Sequence, residues 1–514
     1  MNVLMERKRK LFRPALVTGA ILLLAAPAIV FAAAGQPRNV IVFVTDDQSP
    51  DMGCYGNPTV KTPNMDRLAE AGARFNYAFC TTASCSASRS VILSGLHNHA
   101  NGHYGHQHSY HKMSAFDNLI SLPVYLTHAG YRTARCGKYH VAPEVVYQFE
   151  TVIPGNSRSP VEMAENCRRF IEETPERPFF LYFCTSDPHR GGGVAEELPH
   201  KPDRFGNPGP NRPGYPGVTE VKYDPGTVKV HEFLPQTAEA KAEVAQYYQS
   251  VSRIDQGLGR LMEILQKSGR WEDTLIIYMS DHGIAMPGAK TTLFEGGMRS
   301  PLLVRNPYAR RQGTVSDAMV SWVDITPTVL DFAGVLDAAT GKVKPEVLNR
   351  VPKNDTRTDP QTNNKLAPGA FHGRSILPVL EQENPAGWDE VYASHTFHEI
   401  QMYYPMRVVR ERRYKLIWNI AHPLPFPFAS DLWVAPTWQA QFRQGMDAPY
   451  GPWTVGTYIH RPEFQLFDLE QDPLESNNLA GNPQHAALLE RMKAKLKQFQ
   501  EKTDDPWIIK WSYE

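Results

Sequence analysis

The sequence predicts an α/β protein with a large, mostly parallel sheet flanked by helices, followed by a smaller α+β part with an antiparallel sheet. First, short apolar runs alternate with amphipathic helical segments, which is typical of a parallel sheet. Second, polar residues follow each of these runs directly. Third, the pattern changes near Trp388, after which two strand-like segments and a closing helix are predicted.

Four apolar runs are predicted to form buried parallel strands. They span residues 40–44, 131–136, 179–183 and 275–279. A helix over residues 121–130 precedes the second run, and a long amphipathic helix over about 238–267 precedes the fourth. Because ligands of open α/β sheets bind at the carboxyl ends of the strands, the polar residues after the four runs are expected to converge at one edge.

The predicted organisation has three parts, residues 1–34, 35–387 and 388–514. In the second part, residues 191–229 are rich in proline and glycine and are expected to form a long loop over the site, and residues 342–368 a polar excursion. In the third part, residues 414–418 and 464–467 are predicted antiparallel strands, and residues 485–502 a closing helix. The third part is therefore predicted to be a smaller α+β subdomain.

Residues 1–34 have the order of a secretory signal peptide. Basic residues at 7–10 precede an apolar stretch from about 15 to 33, and a run of alanines ends at Ala34, where cleavage is expected. Export to a periplasm or to the outside of the cell is expected, with an uncleaved anchor helix as the alternative. No later stretch is long and apolar enough to span a bilayer, so no stable membrane insertion is expected after cleavage.

The composition excludes some classes of function. Lys plus Arg and Asp plus Glu both number 54, so the basic excess that a nucleic-acid partner would require is missing. Six scattered cysteines are not the pattern of a disulfide-stapled scaffold, although one or two bridges stay open. A length of 514 residues with 42% hydrophobic content allows a large core. The oligomeric state is open, with a homodimer as one alternative.

Three carboxylates follow predicted strands, namely Asp46, Asp47 and Asp281. Held close together, three like charges would repel each other, and their pKa values would rise unless a cation lay between them. A divalent ion that prefers oxygen ligands, Ca²⁺ or Mg²⁺, would resolve this repulsion. The alternative is that these aspartates only cap the loops after the strands.

Basic side chains are expected around that ion. They are Arg89, Lys138, His140, His189 and Lys290. Together with a metal ion they describe a pocket for a tetrahedral oxyanion, and the alternative is that they are ordinary surface charges. Cys85 begins a predicted helix that ends at Gly95, so a group at this position would lie in the positive field of a helix N-terminus. A structural cysteine is the alternative there.

Two motifs resemble signatures of the sulfatase family. The segment CSASRSVILSG, Cys85 to Gly95, is similar to the signature Cys-x-Pro/Ala-Ser-Arg followed by Leu-Thr/Ser-Gly, and residues 289–301 resemble the second sulfatase signature. Further segments match in type and order, at residues 45–47, 137–140, 187–189, 280–283 and 467–473. The resemblance covers nearly the whole chain after the predicted signal peptide. It implies the alkaline-phosphatase-like sulfatase fold and a sulfatase activity.

The resemblance also implies a modified nucleophile and a metal site. In this family the motif cysteine, Cys85 here, is oxidised after translation to formylglycine (3-oxoalanine), and its hydrated aldehyde attacks sulfur. A formylglycine-generating or radical maturation enzyme is an implied partner, and Ala87, where many sulfatases have proline, leaves the choice open. His282 stands where many members have asparagine, and imidazole is a softer donor than an amide oxygen. The implied ligands of Ca²⁺, with Mg²⁺ as the alternative, are Asp46, Asp47, Asp281, His282 and the hydrate at Cys85.

The same resemblance implies roles for the basic residues. Arg89 is implied to orient the hydrate, and His140 to assist its proton transfers. Lys138 and Lys290 are implied to hold the sulfate oxygens, and His189 to protonate the leaving atom. Fixed cations beside charge that develops on the sulfate and on the leaving group would lower the barrier.

Other segments resemble one subfamily, the heparan N-sulfatases or sulfamidases. They are residues 101–105, 121–123, 137–141, 179–182, 187–190, 398–407, 425–428, 436–438 and 503–507. The resemblance implies hydrolysis of the N-sulfate of a terminal glucosamine in heparan sulfate or heparin saccharides, which releases sulfate and a free amine. His398, Glu399 and Arg407 are the candidates for contact with this sulfated glucosamine, and packing between subdomains is the alternative.

Three alternative functions stay open. The chain keeps Lys290 and the segment 295–297, where sulfamidases depart from the general pattern, so an O-sulfatase acting on the 6-O-sulfate of heparin-like sugars is the first. A phosphatase or phosphonate hydrolase of the wider alkaline-phosphatase group would share the fold and the metal carboxylates. A catalytically silent glycan-binding protein would result if Cys85 were never converted.

Overall fold

The computed structural model describes residues 38–173, 176–191, 204–209, 213–352 and 369–512. The predicted signal peptide therefore lies outside the described residues, as do parts of the predicted loop 191–229 and of the excursion 342–368. Within the described ranges, no helix combines the length and the apolar character needed to cross a membrane. The described residues all belong to one compact unit. The predicted boundary between 387 and 388 falls inside this unit and stays a prediction.

The described elements alternate between strands and helices through most of the chain. The strands are β1 (Asn39–Thr45), β2 (Ala73–Phe79), β3 (Gln107–His108), β4 (His111–Lys112), β5 (Arg132–Gly137), β6 (Thr151–Ile153), β7 (Phe179–Cys184), β8 (Thr274–Ser280), β9 (Leu302–Arg305), β10 (Thr314–Ser321), β11 (Glu390–His395), β12 (Met406–Glu411), β13 (Tyr414–Asn419), β14 (Pro449–Tyr450), β15 (Trp453–Thr454) and β16 (Phe464–Asp468). The helices are α1 (Pro63–Glu70), α2 (Cys85–Ser94), α3 (Asn98–Asn101), α4 (Leu122–His128), α5 (Pro160–Glu172), α6 (Ala238–Lys267), α7 (Glu295–Met298), α8 (Ile325–Phe332), α9 (Pro345–Leu348), α10 (Ser430–Trp433), α11 (Pro436–Phe442), α12 (Val455–Ile459) and α13 (Ala486–Lys502).

The large sheet has eight strands, in the order β10-β2-β9-β8-β1-β7-β5-β6. β9 runs antiparallel to both of its neighbours, and every other pair in this sheet is parallel. The prediction of a large, mixed and mostly parallel sheet is confirmed. β1, β7 and β8 are buried along their whole length, which explains why their sequences are apolar without alternation.

The longest helix, α6, packs against α5 and also contacts α1 and α11, so it touches elements from both halves of the chain. Its N-terminus is capped by Thr237, whose side chain accepts a hydrogen bond from the N–H of Ala240. The apolar stripe predicted for this helix is buried, namely Val244, Tyr248, Val251, Ile254, Leu258, Leu261 and Leu265. Burial of this stripe holds the helix in place, as expected for an amphipathic helix.

The C-terminal sheet has four antiparallel strands in the order β11-β12-β13-β16. It packs against α13 in a core of its own that includes Trp418, Leu466 and Phe499. The predicted strands at 414–418 and 464–467 and the predicted closing helix are confirmed as β13, β16 and α13. The C-terminal antiparallel sheet is therefore present as predicted.

Candidate active site

Polar side chains meet at the carboxyl ends of four adjacent parallel strands, β8, β1, β7 and β5. Asp281 follows β8, and Asp46 and Asp47 follow β1. Lys138 follows β5, and His189 lies in the loop after β7. Because the four strands run in the same direction, the structure brings these residues to one edge of the sheet.

Cys85 is the first residue of α2 and is fully buried at this edge. Its Sγ lies 3.6 Å from Oδ1 of Asp47 and 3.3 Å from Nε2 of His282. Burial raises the pKa of the Cys85 thiol well above its usual range. An unmodified Cys85 is therefore a neutral thiol at pH 7 and a poor nucleophile.

Cys85 and three buried side chains around it could share a metal ion. Asp47, Cys85, Asp281 and His282 each present one donor atom within 4.8 Å of the others. Burial raises the pKa of Asp47 to about 6. Burial, together with repulsion from Asp46, raises the pKa of Asp281 well above its usual range. A divalent cation would offset both effects, so this donor set fits a hard metal ion with carboxylate ligands.

Asp46 is held by two basic side chains. Its Oδ1 lies 3.1 Å from Nη2 of Arg89, and its Oδ2 accepts a hydrogen bond from Lys138. Burial alone would raise the pKa of Asp46, but Lys138, His189 and Arg89 bring it well below its usual range. Arg89 also donates from Nε to Asp281 at 3.1 Å, and its buried Nη1 has no hydrogen-bond partner among the described residues. A bound oxygen would supply the missing acceptor.

Lys290 connects the carboxylates to His189. Its buried Nζ lies 3.0 Å from Oδ2 of Asp47, 3.1 Å from Nε2 of His189 and 2.9 Å from Oδ2 of Asp431. Burial would lower the pKa of Lys290, but Asp431 and Asp47 raise it well above its usual range, so Lys290 is charged. Burial and the charge of Lys290 lower the pKa of His189 well below its usual range, so His189 is neutral at pH 7.

His140 lies in a second group of histidines. Its Nε2 is 2.7 Å from Nδ1 of His108 on β3, and its ring centroid is 5.0 Å from that of His106. Burial and the nearby Lys138 lower the pKa of His140 well below its usual range. His140 therefore carries no charge at pH 7.

Two of the three residues predicted to contact a sugar lie next to these groups. His398 is buried, and its Nδ1 is 3.0 Å from Oγ of Ser84, the residue before Cys85. Glu399 accepts hydrogen bonds from the N–H and the hydroxyl of Ser430. It also lines a cavity of about 570 Å³ whose other walls are mostly aromatic residues and prolines.

Arg407, the third predicted sugar contact, does not line this cavity. It is fully buried, and its Nε and Nη2 both donate to Asp505. Its Nη1 donates to the carbonyls of His395 and Met406. These contacts tie β12 to the segment after α13, so they lie within the C-terminal part and not between the two predicted parts of the chain.

Sequence reasoning missed Asp431, His106 and His108. Asp431 belongs to the four-residue helix α10, where an aspartate looks like an ordinary helix-start residue. The only signal for it was its position soon after residues 425–428, one of the segments quoted above. His106 and His108 belong to a stretch with four histidines between residues 103 and 111, and that density was the available signal.

Known proteins resemble this chain along most of its length. A family model described as Sulfatase matches residues 38–335. The N-sulphoglucosamine sulphohydrolase of Homo sapiens is 36% identical over 483 residues, covering 92% of this chain and 92% of that protein. The N-acetylglucosamine-6-O-sulfatase of Bacteroides thetaiotaomicron is 24% identical and covers 94% of this chain and 92% of that protein.

Solved structures share the fold. A protein in complex with its substrate D-glucosamine-2-N,6-O-disulfate matches with a TM-score of 0.62 at 20% identity, covering 92% of this chain and 99% of that one. The phosphonate monoester hydrolase of Agrobacterium radiobacter matches with a TM-score of 0.59 at 18% identity, covering 91% of this chain and 96% of that one. At such identities the likeness concerns the fold, and it confirms the predicted fold class.

Proposed function

The chain belongs to the sulfatase family, and from this premise we propose that it hydrolyses the N-sulfate of glucosamine at the non-reducing end of heparan sulfate or heparin saccharides. The products are sulfate and a free amine. The observation that carries the proposal is the 36% identity with N-sulphoglucosamine sulphohydrolase over 92% of both chains. Buried cations beside a cluster of carboxylates also suit a reacting group that is tetrahedral and anionic.

The nucleophile is proposed to be formylglycine made from Cys85 by a maturation enzyme of the formylglycine-generating or the radical type. The raised pKa of the buried thiol supports this, because an unmodified Cys85 would offer almost no thiolate. The hydrated aldehyde supplies the attacking oxygen. Position 85 begins α2, so that oxygen lies in the positive field of a helix N-terminus.

The metal is proposed to be Ca²⁺, with Mg²⁺ as the alternative, because carboxylates dominate the donor set. Bound there, the ion stabilises negative charge on the attacking oxygen and on the sulfate. Arg89 lies 3.1 Å from both Asp46 and Asp281, and so fixes the position of two carboxylates. The residues that would hold the ion are Asp46, Asp47, Asp281, His282 and position 85.

The two lysines are proposed to hold the sulfate oxygens. Lys138 contacts Asp46, and Lys290 contacts Asp47 and Asp431. Both ammonium groups lie at the same edge of the sheet as position 85. Each can therefore turn from its carboxylate to a sulfate oxygen with a small movement of a flexible side chain.

His189 is proposed to protonate the leaving nitrogen. Its Nε2 accepts a hydrogen bond from Lys290, so this nitrogen must gain a proton before His189 can act as an acid. Proton transfers at position 85 are proposed for His140, whose Nε2 shares a hydrogen bond with His108. The two histidines would thus serve opposite ends of the reacting group.

His398 and Glu399 are proposed to contact the glucosamine. His398 lies beside Ser84, directly before the nucleophile. Glu399 faces the cavity of about 570 Å³ that Phe428 and Trp433 also line. Apolar walls with few polar groups are typical of sites that bind small ligands. A role for Arg407 in sugar binding stays a prediction, since it would require the release of Asp505.

Export and domain organisation complete the proposal. Residues 1–34 are proposed to be a signal peptide that is cleaved near Ala34, which places the enzyme in a periplasm or outside the cell. The parts 35–387 and 388–514 are proposed to act together. The second part contributes Glu399 and Asp431 to the site.

The proposal is tested with enzyme that is co-expressed with a maturation enzyme and incubated with N-sulfoglucosamine or with glucosamine 6-sulfate. We expect sulfate release, measured by ion chromatography, from the N-sulfated sugar. The peptide that contains residue 85 should weigh about 18 Da less than its cysteine form. Release from the 6-sulfate alone would replace the proposal by O-sulfatase activity, and release from neither sugar by fully converted enzyme would show that it is wrong.

A further inference from the structure

Asp431 is a carboxylate to which the proposed mechanism gives no role, although it lies within the site. Its Oδ2 is 2.9 Å from Nζ of Lys290, and Lys290 in turn lies 3.1 Å from Nε2 of His189. Donor atoms of Asp47, His189 and Asp431 all lie within 4.8 Å of one another. Asp431 is therefore next to the group proposed to protonate the leaving atom.

Asp431 differs from the other carboxylates of the site in its exposure and origin. Its side chain is 18% exposed, whereas that of Asp47 is fully buried. It comes from α10 in the C-terminal part, next to Ser430, which lines the cavity together with Glu399. Asp431 therefore contacts the buried Lys290 and follows directly after a residue that lines the cavity the sugar is proposed to occupy.

We propose that Asp431 determines specificity for a sulfated nitrogen over a sulfated oxygen. This inference rests on the proposed function, because it concerns the leaving group of that reaction. A sulfamate nitrogen carries an N–H that can donate to a carboxylate, whereas the bridging oxygen of a sulfate ester has only lone pairs. In a site otherwise built to hold an anion, a carboxylate beside the leaving atom favours the nitrogen and disfavours the oxygen.

The charge that develops during the reaction strengthens this preference. After Nε2 of His189 has taken a proton from solvent, it passes that proton to the nitrogen, which then carries positive charge beside Asp431. The S–N bond breaks with its electron pair on nitrogen, sulfur bonds to the attacking oxygen, and the proton of that oxygen passes to His140. The neutral amine takes a proton from water and becomes an ammonium ion that can pair with Asp431. A departing ester oxygen would gain negative charge instead, which Asp431 would repel.

The test compares Asp431→Asn with the wild-type enzyme, both fully converted at residue 85, on N-sulfoglucosamine and on 4-nitrophenyl sulfate. We expect kcat/KM for the sulfamate to fall about 30-fold, the size of a lost hydrogen bond to a charged group. For the O-sulfate we expect kcat/KM to stay the same or to rise. Asp431→Glu should recover part of the sulfamate activity. The matched control is Asp447→Asn, an exposed aspartate of the same part of the chain, which should change neither value.

Product binding gives a second measurement that does not depend on O-sulfate turnover. By calorimetry, glucosamine should bind the wild-type enzyme about tenfold more tightly than glucose, and Asp431→Asn should remove this difference. Asp431→Asn could instead lower kcat/KM equally for N-sulfoglucosamine and 4-nitrophenyl sulfate, or leave the preference for glucosamine over glucose unchanged. Either result would show that Asp431 only supports Lys290 and would overturn the inference. A converted wild-type enzyme without sulfamate activity would overturn the proposed function, and the inference with it.

Discussion

Two buried clusters of charge, built from similar residue types, differ in which groups lie beside their carboxylates. The catalytic cluster consists of Asp46, Asp47, Asp281, Arg89, Lys138 and Lys290. The structural cluster consists of Glu295, Glu475, Arg410 and Lys415. In both clusters the acids and the bases are equal in number, so the difference lies in how the partners are arranged.

In the structural cluster every charge has an opposite charge beside it. Arg410 donates to the two oxygens of Glu295 at 3.3 and 3.2 Å. Lys415 lies 3.2 Å from Glu295 and 2.8 Å from Glu475. The cluster joins α7 to β12 and β13. Glu295 from the second signature segment therefore stabilises the fold, while Lys290 from the same segment lies in the site.

In the catalytic cluster Asp46 has two cations beside it, whereas Asp47 and Asp281 have one each. Arg89 and Lys138 both contact that carboxylate, and its pKa lies well below the usual range although burial alone would raise it. Asp47 and Asp281 keep raised pKa values, which burial causes in both cases. The clusters differ in what else lies beside the carboxylates. Asp47 and Asp281 share a donor set with Cys85 and His282 that suits a metal ion, whereas Lys415 joins Glu295 and Glu475 directly.

The largest effect is expected for Cys85, whose replacement should abolish activity but change stability little. Cys85→Ala should lower kcat/KM on the order of 10⁴-fold or more, because the nucleophile is lost. The free energy of unfolding should change by only about 1 kcal/mol, since a single sulfur atom is removed from a buried position. The measurements are sulfate release and urea unfolding.

Cys80→Ala is the matched control for this variant. Cys80 is also fully buried, and burial raises the pKa of its thiol. Its Sγ donates to the carbonyl of Gly297, outside the catalytic cluster. Cys80→Ala should therefore keep the activity, and retained activity in Cys85→Ala would refute the role of position 85.

The second effect is expected in the structural cluster. Lys415→Met should lower the free energy of unfolding by about 3–5 kcal/mol, because Glu475 loses the cation beside it while it stays buried. The kcat measured well below the unfolding transition should stay within about twofold. The control Lys497→Met, on the exposed face of α13, should change stability by less than about 0.5 kcal/mol. A loss of kcat without a loss of stability would place Lys415 in the active site instead.

Much of the fold could be predicted from the sequence, and so could the meeting of Asp46, Asp47 and Asp281 at one edge of the large sheet. Strands that are buried on both faces are continuous apolar runs, and β1, β7 and β8 are of this kind. Their shared direction then brings together the residues that follow them, although these are far apart in the chain. β2 could not be found in this way, because buried and partly buried positions are mixed along Ala73–Phe79.

The contact of Asp431 with the site and the burial of Arg407 away from it could not be predicted. Asp431 reaches Lys290 only because α10 lies beside a loop 141 residues earlier in the chain. Arg407 looked like a sugar contact because it belongs to a segment shared with sulfamidases, but Asp505 takes up its charge. No local sequence pattern indicates these two contacts, because each contact depends on how two distant segments of the chain pack together.

The smallest expected effect is on the pH dependence of the free energy of unfolding, to which the two clusters contribute separately. Burial raises the pKa of Glu475 from an ordinary value of 4.5 to about 7, and that of Asp47 from 3.8 to about 6. The folded protein therefore holds protons that the unfolded chain has released. Each group should make the free energy of unfolding fall as the pH rises through this range, by about 1 kcal/mol per pH unit at most.

Ca²⁺ should remove the pH dependence of the free energy of unfolding that comes from Asp47 and leave the part that comes from Glu475. When Ca²⁺ pairs with Asp47, this carboxylate stays ionised in the folded state, so its uptake of a proton no longer contributes. Urea unfolding between about pH 4.5 and 8 should therefore show a smaller fall in the free energy of unfolding for wild-type protein with Ca²⁺ than with EDTA, and Asp47→Asn with EDTA should lack the part that Asp47 contributes. The slope from Glu475 should persist with Ca²⁺ and disappear only in Glu475→Gln. If Ca²⁺ left the pH dependence of the wild-type protein unchanged, the catalytic cluster would not be a calcium site.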